Sequence, residues 1–175
     1  MDPADFFHTG YNFFSYVEKL GDDGLKMSSR YDRWNLREED RSFFGGINQP
    51  VHILVLSEAW CPDCVNNVPI IAKLSETNPD IKVMVFPRDD YPKIMDLYET
   101  DNKRIIPTVI FFDQHFNEIG RWIERPASVQ KILEEGTEEE KKEVKKRYME
   151  GAYIDEVVGE IKEIISKGLE DAAEQ

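Results

Sequence analysis

Val51-His52-Ile53-Leu54-Val55-Leu56-Ser57-Glu58-Ala59-Trp60-Cys61-Pro62-Asp63-Cys64 is the stretch on which the fold of this chain turns. Its apolar run, Val51–Leu56, reads as a buried strand, and the chain's two cysteines follow it at C-x-x-C spacing. That spacing spans about one helical turn, so a helix starting at the first cysteine brings the two sulfurs within bonding reach. Cys61 then occupies the helix N-cap, where unpaired backbone N–H groups and the positive end of the helix dipole favour thiolate over thiol. Pro62 falls at the first helical position, which tolerates proline because no N–H is needed there. Cys64, one turn in, is expected to be more buried and less reactive, and Cys61 partly exposed. A pair so placed is suited to making and breaking a disulfide.

Upstream, residues 1–48 read as a helical N-terminal extension. Asn12 is expected to cap a helix whose Phe13, Phe14, Tyr16, Val17 and Leu20 form a broad apolar face, closed by Gly21. Asp22 is expected to open a second helix carrying Leu25, Met27, Tyr31 and Trp34. Asn35 with Glu38 resembles a capping box for a third, and Gly45-Gly46 closes it. Aromatic residues at helical spacing read as packing. Downstream, the pattern predicts a helix over Asn67–Ser75, a strand over Ile81–Phe86, a short helix over Ile94–Tyr98, and strands over Thr108–Phe112 and Glu118–Ile123. Strand, helix and strand followed by a hairpin implies an α/β mixed sheet with helices on both faces, its first crossover right-handed.

A helix over Pro126–Glu135 closes a core spanning residues 49–136. Residues 137–175 form a C-terminal helical extension. Thr137 and Glu140 make a capping box for a polar helix to about Glu150. Beyond it Ile154, Val157, Val158, Ile161, Ile164, Ile165 and Leu169 line one face. That stripe needs a cover, either the chain's own N-terminal helices or a second copy in a homodimer.

At 175 residues and 41% apolar composition, the chain is expected to be one globular domain with elaborations. A formal charge of −13 makes nucleic acid and anionic membranes poor partners. Acids in Met1–Asp5 stand where a signal peptide carries bases, and no apolar run approaches the roughly 18 residues of a membrane helix. The expected address is the cytoplasm, where thiols are kept reduced and a C-x-x-C pair is catalytic or metal-binding rather than a staple. No metal is expected: two cysteines leave two zinc ligands to find, and His8, His52 and His115 are scattered and make no finger spacing. No G-x-G-x-x-G accompanies the pair, so no dinucleotide or flavin cofactor is expected.

Trp60-Cys61-Pro62-Asp63-Cys64 after a buried strand, Ile106-Pro107-Thr108 opening the later strand, and Gly120 in the last one together resemble the thioredoxin superfamily from about Pro50 to Glu135. The helical N-terminus, Glu58-x-Trp60-Cys61, Arg88-Asp89 and Arg125-Pro126 resemble, more narrowly, bacterial thioredoxin-family proteins of poorly defined role. The resemblance implies a thioredoxin-like fold in which Pro107 is cis and faces the cysteines. It also implies that the Ile106 backbone pairs with an extended substrate, and that Trp60 and Pro62 belong to the substrate groove. The activity implied is thiol–disulfide exchange by a cytoplasmic disulfide reductase, with Cys61 attacking a protein or small-molecule disulfide and Cys64 resolving the mixed disulfide. Electrons would come from a partner reductase or a small thiol.

The pattern departs from the family in one respect. Val55 stands where thioredoxins carry a buried aspartate that helps deprotonate the resolving thiol. Glu58 is a candidate acid or base in its stead, and Arg88 a candidate partner for Glu58 or for a substrate carboxylate. The carboxylates of Glu58 and Asp63 oppose the helix dipole at Cys61. One at about 6 Å and an effective dielectric of about 40 disfavours the thiolate by ~1.4 kcal/mol, or about one pKa unit. The helix terminus contributes comparably in the other direction, so Cys61 is expected to be moderately activated. The rival from another class is a non-catalytic protein-binding module on the same fold. Peroxide reduction is disfavoured, because Leu54–Trp60 lacks the Pro and Thr/Ser pair that peroxidases of this fold place before the reactive cysteine.

Overall fold

The structure, a computed structural model that describes residues 1–174, is built around one central strand. β1 (Val51–Ser57) is almost wholly buried on both faces, as its unbroken apolar run requires. β2 (Ile81–Pro87) pairs with it in parallel, Val55 beside Val85. β3 (Thr108–Phe112) lies antiparallel on its other side, Val55 opposite Val109. β4 (Glu118–Ile123) pairs antiparallel with β3 and completes the mixed sheet in the order β2-β1-β3-β4.

Helices α1 (Pro3–Phe6), α2 (Phe13–Leu20), α3 (Leu25–Arg33) and α4 (Glu38–Gly45) precede the sheet. α5 (Pro62–Ala72) and the single turn α6 (Leu74–Thr77) connect β1 to β2, and α7 (Pro92–Leu97) leads towards β3. α8 (Ala127–Glu135), α9 (Glu138–Met149) and α10 (Ile154–Ala173) follow the sheet. Among the described residues no helix is long and apolar enough to cross a membrane.

The N-terminal helices share the sheet's core. Phe7, Tyr16, Met27 and Phe44 are buried in one continuous apolar cluster with β1 and β3. Tyr11 exchanges two backbone hydrogen bonds with Val85, at 2.9 and 2.7 Å, and so occupies part of the outer edge of β2. Asn12 caps α2 through a 3.0 Å bond from the Ser15 N–H, as its position predicts. Two expectations for this segment are corrected. Gly21–Gly24 form a 3-10 turn, so the second helix starts at Leu25 rather than Asp22. Asn35 does not cap the third helix: burial of Trp34 and Leu36 holds residues 34–37 extended, and α4 starts after Arg37 with no side-chain cap.

Thr137 and Glu140 form both halves of the capping box that opens α9. The apolar stripe of α10 docks mainly on β4 and α5. Its approach to β4 is close enough to need glycine on both partners. A Cβ on Gly168 would lie 2.4 Å from the Ile119 carbonyl oxygen, and one on Gly120 2.5 Å from Ile164 Cγ2. The link from α10 to the N-terminal helices is ionic: Lys162 Nζ is 2.9 Å from the buried Asp40 carboxylate, which also accepts from Arg37 Nε at 3.0 Å.

Candidate active site

α5 begins at Pro62, immediately after Cys61, as the placement of Cys61 at the N-cap predicts, and takes in the first part of the 67–75 span. Cys61 is its N-cap, with extended backbone (φ −85°, ψ 117°), and its sulfur accepts from the Cys64 N–H at 3.4 Å. Pro62 occupies the first helical position. Both cysteines are free thiols and both are buried, Cys61 at 6% exposure and Cys64 at 0%. The expectation of a partly exposed Cys61 is corrected by the loop before β3, which packs over it. The Ile106–Pro107 peptide is cis, and Cys61 Sγ lies 3.5 Å from the Ile106 carbonyl oxygen. Helix start and proline loop thus meet at the Cys61 sulfur.

The two thiols diverge. Cys61 is lowered to about 7, chiefly because the Cys64 thiol donates to its sulfur. Burial opposes that shift, and the Asp63 charge opposes it further. Cys64 is pushed well above the ordinary thiol range by burial. The shift is moderate, but its main cause is the Cys64 hydrogen bond rather than a balance between acids and the helix dipole, and the charge of Asp63 is tempered by its neighbours. Its carboxylate is held by Arg125, Nε at 3.2 Å and Nη2 at 2.9 Å, and by the Tyr148 hydroxyl at 3.0 Å. Tyr148 in turn accepts from Asn67 Nδ2 at 2.5 Å. Arg125 also pairs with Glu124, whose own N–H holds the Pro107 carbonyl at 2.8 Å. One polar network therefore ties Asp63 of the motif to α9 and to the proline loop.

Glu58 does not use its carboxylate on the thiols. That carboxylate accepts from the Asp89 N–H at 2.8 Å, and burial raises its pKa. Arg88 pairs with Asp89 at 2.9 Å and stacks on Trp60, its guanidinium 4.9 Å from the ring centroid. Trp60 is 61% exposed and directly precedes Cys61. Val55 is fully buried and supplies no acid. Ser57, fully buried at the end of β1, accepts a hydrogen bond from the Tyr16 hydroxyl of α2 at 3.1 Å.

The histidines lie elsewhere: His52 Nδ1 bonds the Asp113 carbonyl at 3.1 Å while its ring stacks on Phe116. Tyr16, Ser57, Arg125 and Tyr148 were not singled out as site residues from the sequence. Tyr148 left one signal, standing four residues from Val144 in an otherwise charged helix. Tyr16 left none beyond its place on an apolar face.

A mixed sheet with a C-x-x-C pair at a helix N-terminus facing a cis-proline loop defines a thioredoxin-fold protein. A family model described as Thioredoxin matches residues 10–145, and the chain belongs to that family. The match begins well before β1 and takes in α2, α3 and α4. Among solved structures, a protein of unknown function from Pseudomonas aeruginosa is similar, with TM-score 0.79 and 22% identity, covering 95% of this chain and 98% of its own. An HIV epitope-scaffold protein is similar to the same degree, with TM-score 0.78, 22% identity and the same coverage. At that identity the likeness speaks to the fold. No curated protein matches the chain.

Proposed function

We propose that this protein is a thiol–disulfide oxidoreductase acting through Cys61 and Cys64. The observation that carries the reading is the unequal pair. One thiol, at about 7, is held at a helix N-cap against the Ile106–Pro107 loop, and the other is buried and protonated. The Cys61 thiolate attacks a substrate disulfide, forming a mixed disulfide and expelling the first substrate thiolate. Cys64 then attacks Cys61 Sγ, the Cys61–substrate bond breaks, and the Cys64 proton leaves with the second substrate thiolate. The dithiol is oxidised by two electrons and the substrate disulfide is reduced by two.

A nucleophile near neutrality, rather than strongly acidic, supports a couple toward the reducing end of the class, as a disulfide reductase needs. Trp60 and Pro62 border the groove, and Ile106 offers its backbone to an extended substrate. Protein or small-molecule disulfides are the substrates, and a reductase or small thiol is the electron source. The chemistry uses the two sulfurs alone and calls for no cofactor. The reducing cytoplasm is the compartment in which such a dithiol is regenerated.

The test is reduction of insulin driven by dithiothreitol, with Cys61→Ser as control. Turnover abolished by the substitution supports the reading. A wild-type rate no faster than the uncatalysed one refutes general reductase activity and favours a binding module on the same fold.

A further inference from the structure

Glu124 is held in a backbone conformation that a residue with a side chain disfavours. Its φ is +64°, in the left-handed region, and the Arg125 N–H donates across it to the Ile123 carbonyl at 2.8 Å. A bond spanning two residues about a positive φ makes a γ-turn of the rare, strained hand. The turn directly follows β4 and aims the Glu124 N–H at the Pro107 carbonyl, 2.8 Å away. The peptide before Pro107 carries the Ile106 carbonyl, 3.5 Å from Cys61 Sγ. An unfavourable turn thus holds the loop that lies on Cys61.

Such a turn persists only where its surroundings over-determine it, and Asn67 supplies that restraint. Asn67 lies in α5, the helix that Cys61 caps, and is only 1% exposed. Its amide nitrogen has two protons, and both are committed. Nδ2 donates to the Glu124 carbonyl at 3.2 Å and to the Tyr148 hydroxyl at 2.5 Å. The second bond fixes the direction of the first, because Tyr148 is itself anchored on Asp63 at 3.0 Å. Arg125 Nη2 holds the Glu124 carboxylate at 2.5 Å.

We propose that Asn67 is a positioning residue for polypeptide substrates. By pinning the Glu124 turn it fixes the Pro107 carbonyl, and with it the Ile106 main chain on which an extended substrate docks beside Cys61. The inference rests on the thiol–disulfide exchange reading above and deepens it, because it concerns docking of a polypeptide disulfide. Asn67 acts through Glu124 and touches neither sulfur nor substrate. Without its amide, Glu124 relaxes to a negative φ and its N–H turns away from Pro107. Attack at sulfur needs no such support, since Cys61 is placed by its own helix.

Two substrates separate docking from chemistry, each tested on the full-length protein: insulin, whose disulfides are carried on polypeptide, and a small aromatic disulfide. Asn67→Ala is expected to raise KM for insulin about tenfold, as loss of a buried hydrogen bond predicts, with kcat within about twofold. Its second-order rate with the aromatic disulfide should stay within about twofold of the wild type. Glycine adopts a positive φ without strain, so the turn in the double variant Asn67→Ala/Glu124→Gly needs no clamp. That variant should bring KM for insulin back to within about threefold of the wild type. A merely structural role predicts the opposite, with losses that accumulate in the double variant and fall equally on both substrates.

An unchanged KM in Asn67→Ala, an equal loss on both substrates, or a double variant no better than the single one overturns the inference. Should Asn67→Ala fail to fold, the double variant decides. Folded and near the wild-type KM, it supports the inference; unfolded or still impaired, it overturns it. A wild type that reduces the aromatic disulfide but not insulin overturns this inference and leaves thiol exchange standing. A wild type that reacts with neither refutes the exchange reading, and this inference with it.

Discussion

Arg125→Leu and Asp63→Asn are expected to move the Cys61 thiol in opposite directions. The Asp63 charge raises the Cys61 pKa, and Arg125 grips both oxygens of that carboxylate at 3.2 and 2.9 Å. A unit charge about 6 Å from the sulfur, at an effective dielectric of about 40, is worth ~1.4 kcal/mol, or about one pKa unit. Removing Arg125 frees that repulsion, so Cys61 should rise from about 7 toward the ordinary thiol value. Removing the Asp63 charge leaves a guanidinium beside the thiolate, and Cys61 should fall by a similar step of about one unit.

Stability falls in both variants, by unequal amounts. The two side chains are only 15% and 18% exposed, and truncating one partner of a buried pair typically costs about 3–5 kcal/mol. Here each survivor keeps a partner. Tyr148 still donates to Asp63, and Glu124 still accepts from Arg125, so about 2–4 kcal/mol is expected. Arg125→Leu should lie at the upper end, because its survivor is a carboxylate with one neutral donor. The assay is the rate of iodoacetamide alkylation of Cys61 against pH, with urea unfolding alongside. Midpoints shifting in the same direction, or neither shifting by more than about 0.3 unit, would show that the pair is not electrostatically coupled to Cys61.

Alkylation of the wild-type protein should follow a single thiol with its midpoint near 7, and Cys64→Ala should raise that midpoint by about one unit, since the Cys64 thiol is the main donor to Cys61. Gly168→Ala places a methyl group 2.4 Å from a backbone oxygen of β4, which cannot yield as a side chain can. Overpacking of this kind costs about 1–3 kcal/mol, a drop of about 3–9 °C in melting temperature for a chain of this size. Burial alone would raise the Asp40 carboxyl, but hydrogen bonds from Lys162 and Arg37 outweigh it and hold the group below the ordinary value. The stability this contributes is present above the unfolded pKa and is lost as pH falls through the lower folded one. Urea titrations should therefore show a loss on acidification below about pH 4 that is smaller in Asp40→Asn.

The features legible in the sequence were those decided locally. β1 and β3 are short apolar runs, β2 buries Ile81, Val83 and Val85 at alternate positions, and the Asn12 and Thr137 caps use oxygens that reach only three residues ahead. The start of α4 was not legible, because burial of Trp34 and Leu36 overrides the local preference of Asn35 for a cap. The same division holds at the site. Cys61, Pro62 and Cys64 lie in one turn of chain, and their arrangement follows from helix geometry. Tyr16 reaches Ser57 from 41 residues away and Tyr148 reaches Asp63 from 85, and no spacing rule connects residues so distant. Arg125 was visible only as part of a resemblance; its grip on Asp63 required the fold.

That division bears on how the two thiols come to differ. A helix N-terminus by itself favours the anion on both sulfurs, since both lie within its first turn. The exchange proposed above needs the opposite: one thiol ready to attack, the other protonated until the mixed disulfide exists. Burial supplies that asymmetry by excluding solvent from Cys64, and the donors around Cys64 then limit how far its pKa rises. Much of that burial is contributed by residues outside the C-x-x-C turn. Tyr16 of α2 closes the interior side, and Tyr148 of α9 secures the carboxylate that would otherwise weigh on Cys61. The helices on either side of the sheet therefore set the working difference between Cys61 and Cys64, and substitutions at Tyr16 or Tyr148 should alter the chemistry of sulfurs they never touch.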